Sequence, residues 1–251
     1  MSSPYFRFKQ FTVWHDRCAM KVGTDGVLLG AWAEAIAYKE DASAAASPAV
    51  PHIVRRILDI GTGSGLIALM LAQRFPNAII DGIDIDPSAV LQSKDNFSAS
   101  PFSTRLRACP SPLQEWQPQE KYDMIVSNPP YFSNSLLCLD GMRTKARHAE
   151  SLSFADLIAH SYRLLTQAGT LSLVLPADAE KAIMKEARLQ HLYCVRLCRV
   201  HTTANKPAKR ILVTFSHHTA ATTLAPEMLC LSSPNSPRSA AYSALTQDFY
   251  L

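Results

Sequence analysis

An apolar run, Arg56-Ile57-Leu58-Asp59-Ile60, leads straight into Gly61-Thr62-Gly63-Ser64-Gly65 and then into Leu66-Ile67-Ala68-Leu69-Met70-Leu71-Ala72. Few folds accept alternating glycines between a buried strand and a buried helix. Glycine lets the backbone turn sharply and lets a ligand approach it closely, so the segment reads as the first half of a nucleotide-binding βαβ unit. The spacing is G-x-G-x-G, which differs from the G-x-G-x-x-G of pyrophosphate binders. A helix opening after Gly65 offers free N–H groups to a carboxylate. The next strand, Ala78-Ile79-Ile80-Asp81-Gly82-Ile83-Asp84, ends in an acid about 20 residues after the glycines, which suits hydrogen bonds from both hydroxyls of a ribose. Asp84 is the candidate for that role. Asp86, two residues on, is the alternative, because it shares the same face if the strand continues.

A later strand, Tyr122-Asp123-Met124-Ile125-Val126, runs into Ser127-Asn128-Pro129-Pro130-Tyr131-Phe132. The prolines restrict the backbone and remove two N–H donors, leaving the Pro129 carbonyl as an acceptor. The Asn128 side-chain oxygen is a second acceptor. Together they grip a planar –NH2 group while Tyr131 stacks on the ring that bears it. The plainer reading is a strand-ending turn, because Asn-Pro and Pro-Pro commonly punctuate loops. Glycine turn, second-strand acid and this loop, in order and spacing, favour a site.

These motifs resemble a class I S-adenosylmethionine-dependent methyltransferase of the amino-group branch with an Asn-Pro-Pro-Tyr motif. Phe6-Arg7-Phe8-Lys9-Gln10-Phe11-Thr12-Val13, the block Met20 to Trp32, and Arg143-x3-Arg147-His148 are similar to the bacterial tRNA1(Val) adenine N(6)-methyltransferase family. The likeness spans roughly residues 5 to 217; its N-terminal block is the part that points to this family. It implies S-adenosylmethionine as cofactor and tRNA as partner, with methylation of the exocyclic N(6) amine of adenine 37 in the anticodon loop. Asn128, Pro129 and Tyr131 are then the catalytic candidates. Asp59, Gly61, Gly63, Gly65, Asp84 and Asn128 are the cofactor-binding candidates, with Asp59 ordering the turn and helping to hold the cofactor's amino group, unless it is purely a structural turn acid. Tyr131 and Phe132 are expected to contact substrate. One position departs from the pattern. Where related enzymes often carry an acid for the cofactor's adenine amino group, this chain has Pro112, so backbone around Ser111 to Leu113 or the Ser111 hydroxyl is the expected substitute.

Strands and helices alternate along the chain, which predicts a Rossmann-like α/β fold. The expectation is a seven-stranded, mostly parallel sheet with helices on both faces and the last strand antiparallel, since only a loop, 201–209, precedes it. Residues 1–217 are expected to form a single domain, including an arm at 1–22 and a helix from Thr24 or Asp25 to about Tyr38. Residues 39 to 51 read as a surface connection, and 218–251, rich in Ala, Thr, Ser and Pro, as a tail of undetermined order. With 47% apolar and 18% charged residues the chain is an ordinary globular one. It shows no leader-like N-terminus and no long apolar stretch, so a cytoplasmic protein off the membrane is expected. Six scattered cysteines without C-x-x-C pairs suggest free thiols, and no metal site is expected.

The net charge of +4 is compatible with an RNA partner. Residues 188–210 hold Arg188, Arg196, Arg199, Lys206, Lys209 and Arg210 without any acid. Lys206, Lys209 and Arg210 are substrate candidates on one side of the pocket, with Arg7, Lys9 and Lys21 on the other; the alternative is a solvated face. Rival substrates are a protein glutamine amide, a ribosomal guanine amine and a DNA adenine. A non-catalytic binding module is disfavoured by the intact Asn128-to-Tyr131 motif. A monomer without an obligate protein partner is expected.

Overall fold

The computed structural model describes residues 3–36, 53–130, 152–219 and 225–251. The N-terminal arm closes into a hairpin of β1 (Tyr5–Arg7) and β2 (Thr12–Trp14). Phe8, Phe11 and Val13 are buried, so the arm belongs to the core. Helix α1 (Thr24–Trp32) follows without a side-chain cap: Gly23 stands at the N-cap, and Asp25 pairs with Arg210 at 2.8 Å. It ends well before Tyr38, because Ala33 turns extended and the Arg74 guanidinium takes the carbonyls of Gly30 and Ala33.

The alternating body then runs β3 (Arg56–Ile60), α2 (Leu66–Arg74), β4 (Ile79–Asp84), α3 (Pro87–Ser98), β5 (Leu106–Pro110) and β6 (Tyr122–Ser127). Helix α4 (Phe154–Leu164) leads directly into β7 (Leu165–Pro176), and α5 (Glu180–Leu189), β8 (Tyr193–His201) and β9 (Ala208–Ser216) complete it. Strand residues alternate between two cores, because successive side chains point to opposite faces. Ile57 joins a cluster with α1, α2 and α3; Leu58 joins one with α4 and α5. This accounts for the apolar, two-sided strands read from the sequence.

The sheet order is β10-β8-β9-β7-β6-β3-β4-β5, and β9 alone runs against the rest. The expected antiparallel strand is therefore β9, inserted between β7 and β8. The strand count differs from seven: β10 (Glu227–Cys230) adds an eighth by pairing parallel with β8. It is followed by α6 (Ala240–Thr246). Tyr242 and Phe249 are buried, and the Lys9 N–H of the N-terminal hairpin donates to the Phe249 carbonyl at 2.9 Å. No periodicity announces these short elements; long-range packing makes them. Among the described residues no helix is long and apolar enough to cross a membrane.

Candidate active site

The carboxyl ends of β3, β4, β5 and β6 surround a cavity of about 820 Å³, the usual ligand position in open α/β sheets. The turn after β3 forms one wall. Its Gly61 and Thr62 N–H groups both donate to the Ile83 carbonyl, at 2.9 and 3.0 Å, which ties the turn to the end of β4. Gly61 and Gly63 line the cavity at φ +70° and +55°, and a Cβ on either would project into open space. A side chain there would strain the backbone and fill room a ligand needs. Gly65 has another task. It caps α2 in the left-handed conformation, a Cβ on it would collide with the Phe97 ring of α3, and it does not line the cavity. The Phe97 contact accounts for a glycine at this position by packing.

Both strand-end acids line the cavity, and they differ in their partners. Asp84 faces the cavity, its Oδ2 accepting from Gly63 N–H at 2.9 Å and its Oδ1 from Asp86 N–H at 3.0 Å. Each oxygen keeps lone-pair capacity for hydroxyl donors. Asp86 directs its carboxylate to the Ser88 N–H at 2.9 Å, as the N-cap of α3. The geometry thus favours Asp84 over Asp86 as a ribose ligand. Asp59 is wholly buried beneath the turn, accepts from the Thr62 hydroxyl at 2.8 Å and does not line the cavity. Burial pushes its pKa up to about 7, against the pull of the Thr62 hydroxyl and Ala68 N–H, and the Asp84 charge adds to the rise. Of the two readings of Asp59, the structure favours support of the turn.

At the end of β6 the Ser127 hydroxyl donates to the Ile60 carbonyl at 2.8 Å, which fixes the strand end beside the glycine turn. Asn128, Pro129 and Pro130 line the same cavity as Asp84 and Gly63. Tyr131, Phe132, Arg143, Arg147 and His148 lie outside the described residues. The segment after β5 lines the cavity too and is pinned by the Ser111 N–H donating to the Asp84 carbonyl at 3.0 Å. Sequence reasoning missed Ile85, Glu115 and the stretch Cys18 to Met20, which also line it. Only the position of Met20, at the head of the N-terminal family block, hinted at this. Burial, followed by the charges of Asp84 and Asp86, lifts the Cys18 thiol to a pKa of about 11, so it is not a nucleophile at neutral pH.

The basic run divides. Arg196 pairs with Glu34 and Glu227, both at 2.7 Å, Arg199 with Glu180 at 2.7 Å, and Arg210 with Asp25 at 2.8 Å. Acids from outside residues 188–210 thus pair with three of the run's arginines. Lys206 is exposed in the turn between β8 and β9, and Lys209 is exposed at the start of β9. That turn is on the same edge of the sheet as the cavity, since Arg210 is opposite Pro176 at the carboxyl end of β7. Of the N-terminal candidates, Arg7 and Lys21 are exposed, while the Lys9 ammonium donates to the Gln247 carbonyl. Among the described residues no cluster of His, Cys, Asp and Glu is arranged to hold a metal.

A parallel sheet with one reversed strand, carrying a glycine cradle and a ribose-type carboxylate at its carboxyl edge, places the chain in the class I S-adenosylmethionine-dependent methyltransferases. Residues 41–196 match the family model of the methyltransferase small domain. The chain belongs to the tRNA1(Val) (adenine(37)-N6)-methyltransferase family. It is 45% identical to the protein of that name from Parabacteroides distasonis, over 100% of this chain and 99% of the relative. It is 38% identical to that from Klebsiella pneumoniae, over 98% and 94%. A crystal structure of a predicted O-methyltransferase from Agrobacterium tumefaciens covers 90% of this chain and 96% of its own, with a TM-score of 0.63 and 18% identity, and so shares the fold. The residues present fit the cofactor. Gly61 and Gly63 leave the space a methionine portion needs, Asp84 offers acceptors to ribose hydroxyls, and Ile85, Pro112 and Leu113 give the cavity apolar walls for a purine.

Proposed function

We propose that this enzyme methylates the exocyclic N(6) amine of adenine 37 in the anticodon loop of tRNA1(Val), using S-adenosylmethionine. The observation that carries the reading is the placement of Asn128 and Pro129 on the same cavity as the glycine cradle and Asp84, in a chain matched end to end by relatives of that name. When bound, the cofactor supplies a methyl group already activated by its sulfonium. The protein's task is alignment and electrostatics. An adenine amine is a poor nucleophile because its lone pair is delocalised into the ring. The Asn128 side-chain oxygen and the Pro129 carbonyl accept its two N–H groups, turn the lone pair out of the ring plane and bear the positive charge that develops on nitrogen. Those bonds strengthen toward the transition state, where they raise the rate. The bond from Ser127 to Ile60 holds the loop at the strand end.

In this reading Tyr131 contributes stacking on the target base, worth about 1–3 kcal/mol, and Phe132 is a further substrate contact. An anticodon-loop adenine is single-stranded and is extruded at modest cost. Lys206 and Lys209 take phosphates at the edge of the cavity, and Arg210, held by Asp25, fixes α1 next to them. The enzyme acts in the cytoplasm, where tRNA resides, as a monomer.

The test is transfer of labelled methyl to purified tRNA, ribosomal RNA, DNA and release-factor protein. Label is expected at adenine 37 of tRNA1(Val). Asn128→Ala is expected to reduce turnover about 10²–10³-fold, the usual cost of removing a preorganised transition-state contact, with cofactor binding retained. Labelling of DNA or protein but not tRNA, or near-normal turnover in Asn128→Ala, sinks the reading.

A further inference from the structure

We infer that the outward face of the β1–β2 hairpin, built on Tyr5 and Trp14, is a stacking platform for a tRNA nucleotide that flanks the target base. The inference rests on tRNA as the substrate and adds where a second base is held. Strand alternation divides the hairpin's side chains between two faces. Phe6 and Val13 are opposite each other; Val13 is buried, and the Phe6 ring is 4.7 Å from that of Phe8 and 5.8 Å from that of Tyr250, so this face packs inward. Tyr5 and Trp14 form the next pair, on the other face. Their ring centres are 4.9 Å apart and tilted at 48°, and they remain 42% and 45% exposed, so neither ring covers the other. Arg7, two residues from Tyr5, is exposed on the same side. Residues 3–15 carry Arg7 and Lys9 and no acid. Open rings beside a cation suit a base and its phosphate.

The platform is fixed in place and continuous with the cavity. Asn96 of α3, 1% exposed, holds both backbone groups of Trp14: its Oδ1 accepts from the Trp14 N–H at 3.0 Å, and its amide nitrogen donates to the Trp14 carbonyl at 2.8 Å. The same nitrogen donates to the Ser64 carbonyl of the glycine turn at 2.8 Å, so one buried side chain ties the hairpin to the cofactor's cradle. One turn earlier on α3, Gln92 accepts from the Arg17 N–H at 3.1 Å, and Cys18 to Met20 then line the cavity. The chain from Trp14 to Cys18 spans at most about 14 Å. At about 3.4 Å per stacked nucleotide, a strand that delivers its base to the cavity has its neighbours within about four nucleotides of the two rings. A base next to an extruded nucleotide has lost a stacking neighbour, and an aromatic side chain replaces it.

The experiment measures binding and methylation of tRNA1(Val) by wild type, the double variant Tyr5→Leu with Trp14→Leu, Trp14→Phe and Arg7→Gln. The leucines keep apolar bulk on the hairpin and remove the π faces. The double variant is therefore expected to melt near wild type and to hold S-adenosylhomocysteine equally, while its KM for tRNA rises about tenfold. Its affinity loss is expected to be the same at every salt concentration, whereas Arg7→Gln flattens the salt slope by about one unit. Stacking of a base is expected to quench the Trp14 fluorescence; Trp14→Phe loses that signal and keeps most of the tRNA affinity, because it keeps a ring. A wild-type KM in the folded double variant, with Trp14 emission unaffected by tRNA, overturns the inference and leaves the tRNA reading standing. So does a wild-type dimer that the substitutions turn into a monomer with KM unchanged, since a second copy is then the occupant. If the double variant does not fold, the Trp14 signal in wild type decides. Failure of wild type to bind tRNA overturns both readings.

Discussion

Asp59 and Asp84 are close in space and do opposite work, because one is sealed beneath the glycine turn and the other faces the cavity. Asp84→Ala is expected to weaken S-adenosylmethionine binding by about 1.5–3 kcal/mol, the range for hydrogen bonds to a charged group; isothermal titration checks it. Unchanged affinity in a folded variant removes Asp84 from the ribose role. Asp59 contributes a pH dependence. Its pKa rises from an ordinary 3.8 to about 7 on folding, so the folded chain holds an extra proton between those values. The resulting stabilisation is complete below the unfolded pKa and is lost as pH climbs through about 7. Wild type should therefore lose stability relative to Asp59→Asn as pH rises from about 4 to 7, with no further change above about pH 8. Chemical denaturation of both proteins across that range decides it, and a constant difference refutes the burial argument.

Among the elements, β10 and α6 test how a segment without sequence periodicity is held. Arg196 lies 4.1 Å from the centre of the Trp32 ring, donates to the Trp32 carbonyl at 3.0 Å and bridges Glu34 to Glu227 of β10. Those carboxylates are nearly half exposed, so the ion pairs themselves give little. The ring contact and the carbonyl bond dominate, and Arg196→Ala is expected to cost about 1–2 kcal/mol. Phe249, 2% exposed after α6, anchors the same segment by packing; Phe249→Ala is expected to cost about 3–5 kcal/mol. Denaturant midpoints should rank the two variants in that order. The reverse ranking would mean that the β10 edge, and not the apolar anchor, holds the segment.

At the scale of the whole molecule, the cavity and the β8–β9 turn share one edge of the sheet, so a bound RNA can reach both. Neutralising Lys206 and Lys209 together is expected to flatten the salt dependence of tRNA binding by about one to two units and to leave cofactor affinity unchanged. Filter binding across a salt series measures it; a wild-type slope in the double variant means that RNA docks elsewhere. Charge removal at Arg196 or Arg199 is expected to act on stability, because acids from other elements already face them.

What was legible in the chain itself is what local physics controls. Strand and helix follow from apolar periodicity, the tight turn from Gly61 and Gly63, and the candidate acid and candidate acceptor loop from their places at strand ends. Each depends on neighbours within a few residues. Folding decided what depends on residues far apart in sequence. Gly65 is packed against Phe97, and Asp59 is buried beneath the glycine turn. Arginines of the acid-free run 188–210 meet Asp25, Glu34, Glu180 and Glu227. Strand β9 slots in between β7 and β8, and β10 returns to the sheet edge. Burial and pairing are properties of the packed chain, because a group's dielectric surroundings and its partners exist only once distant segments have met.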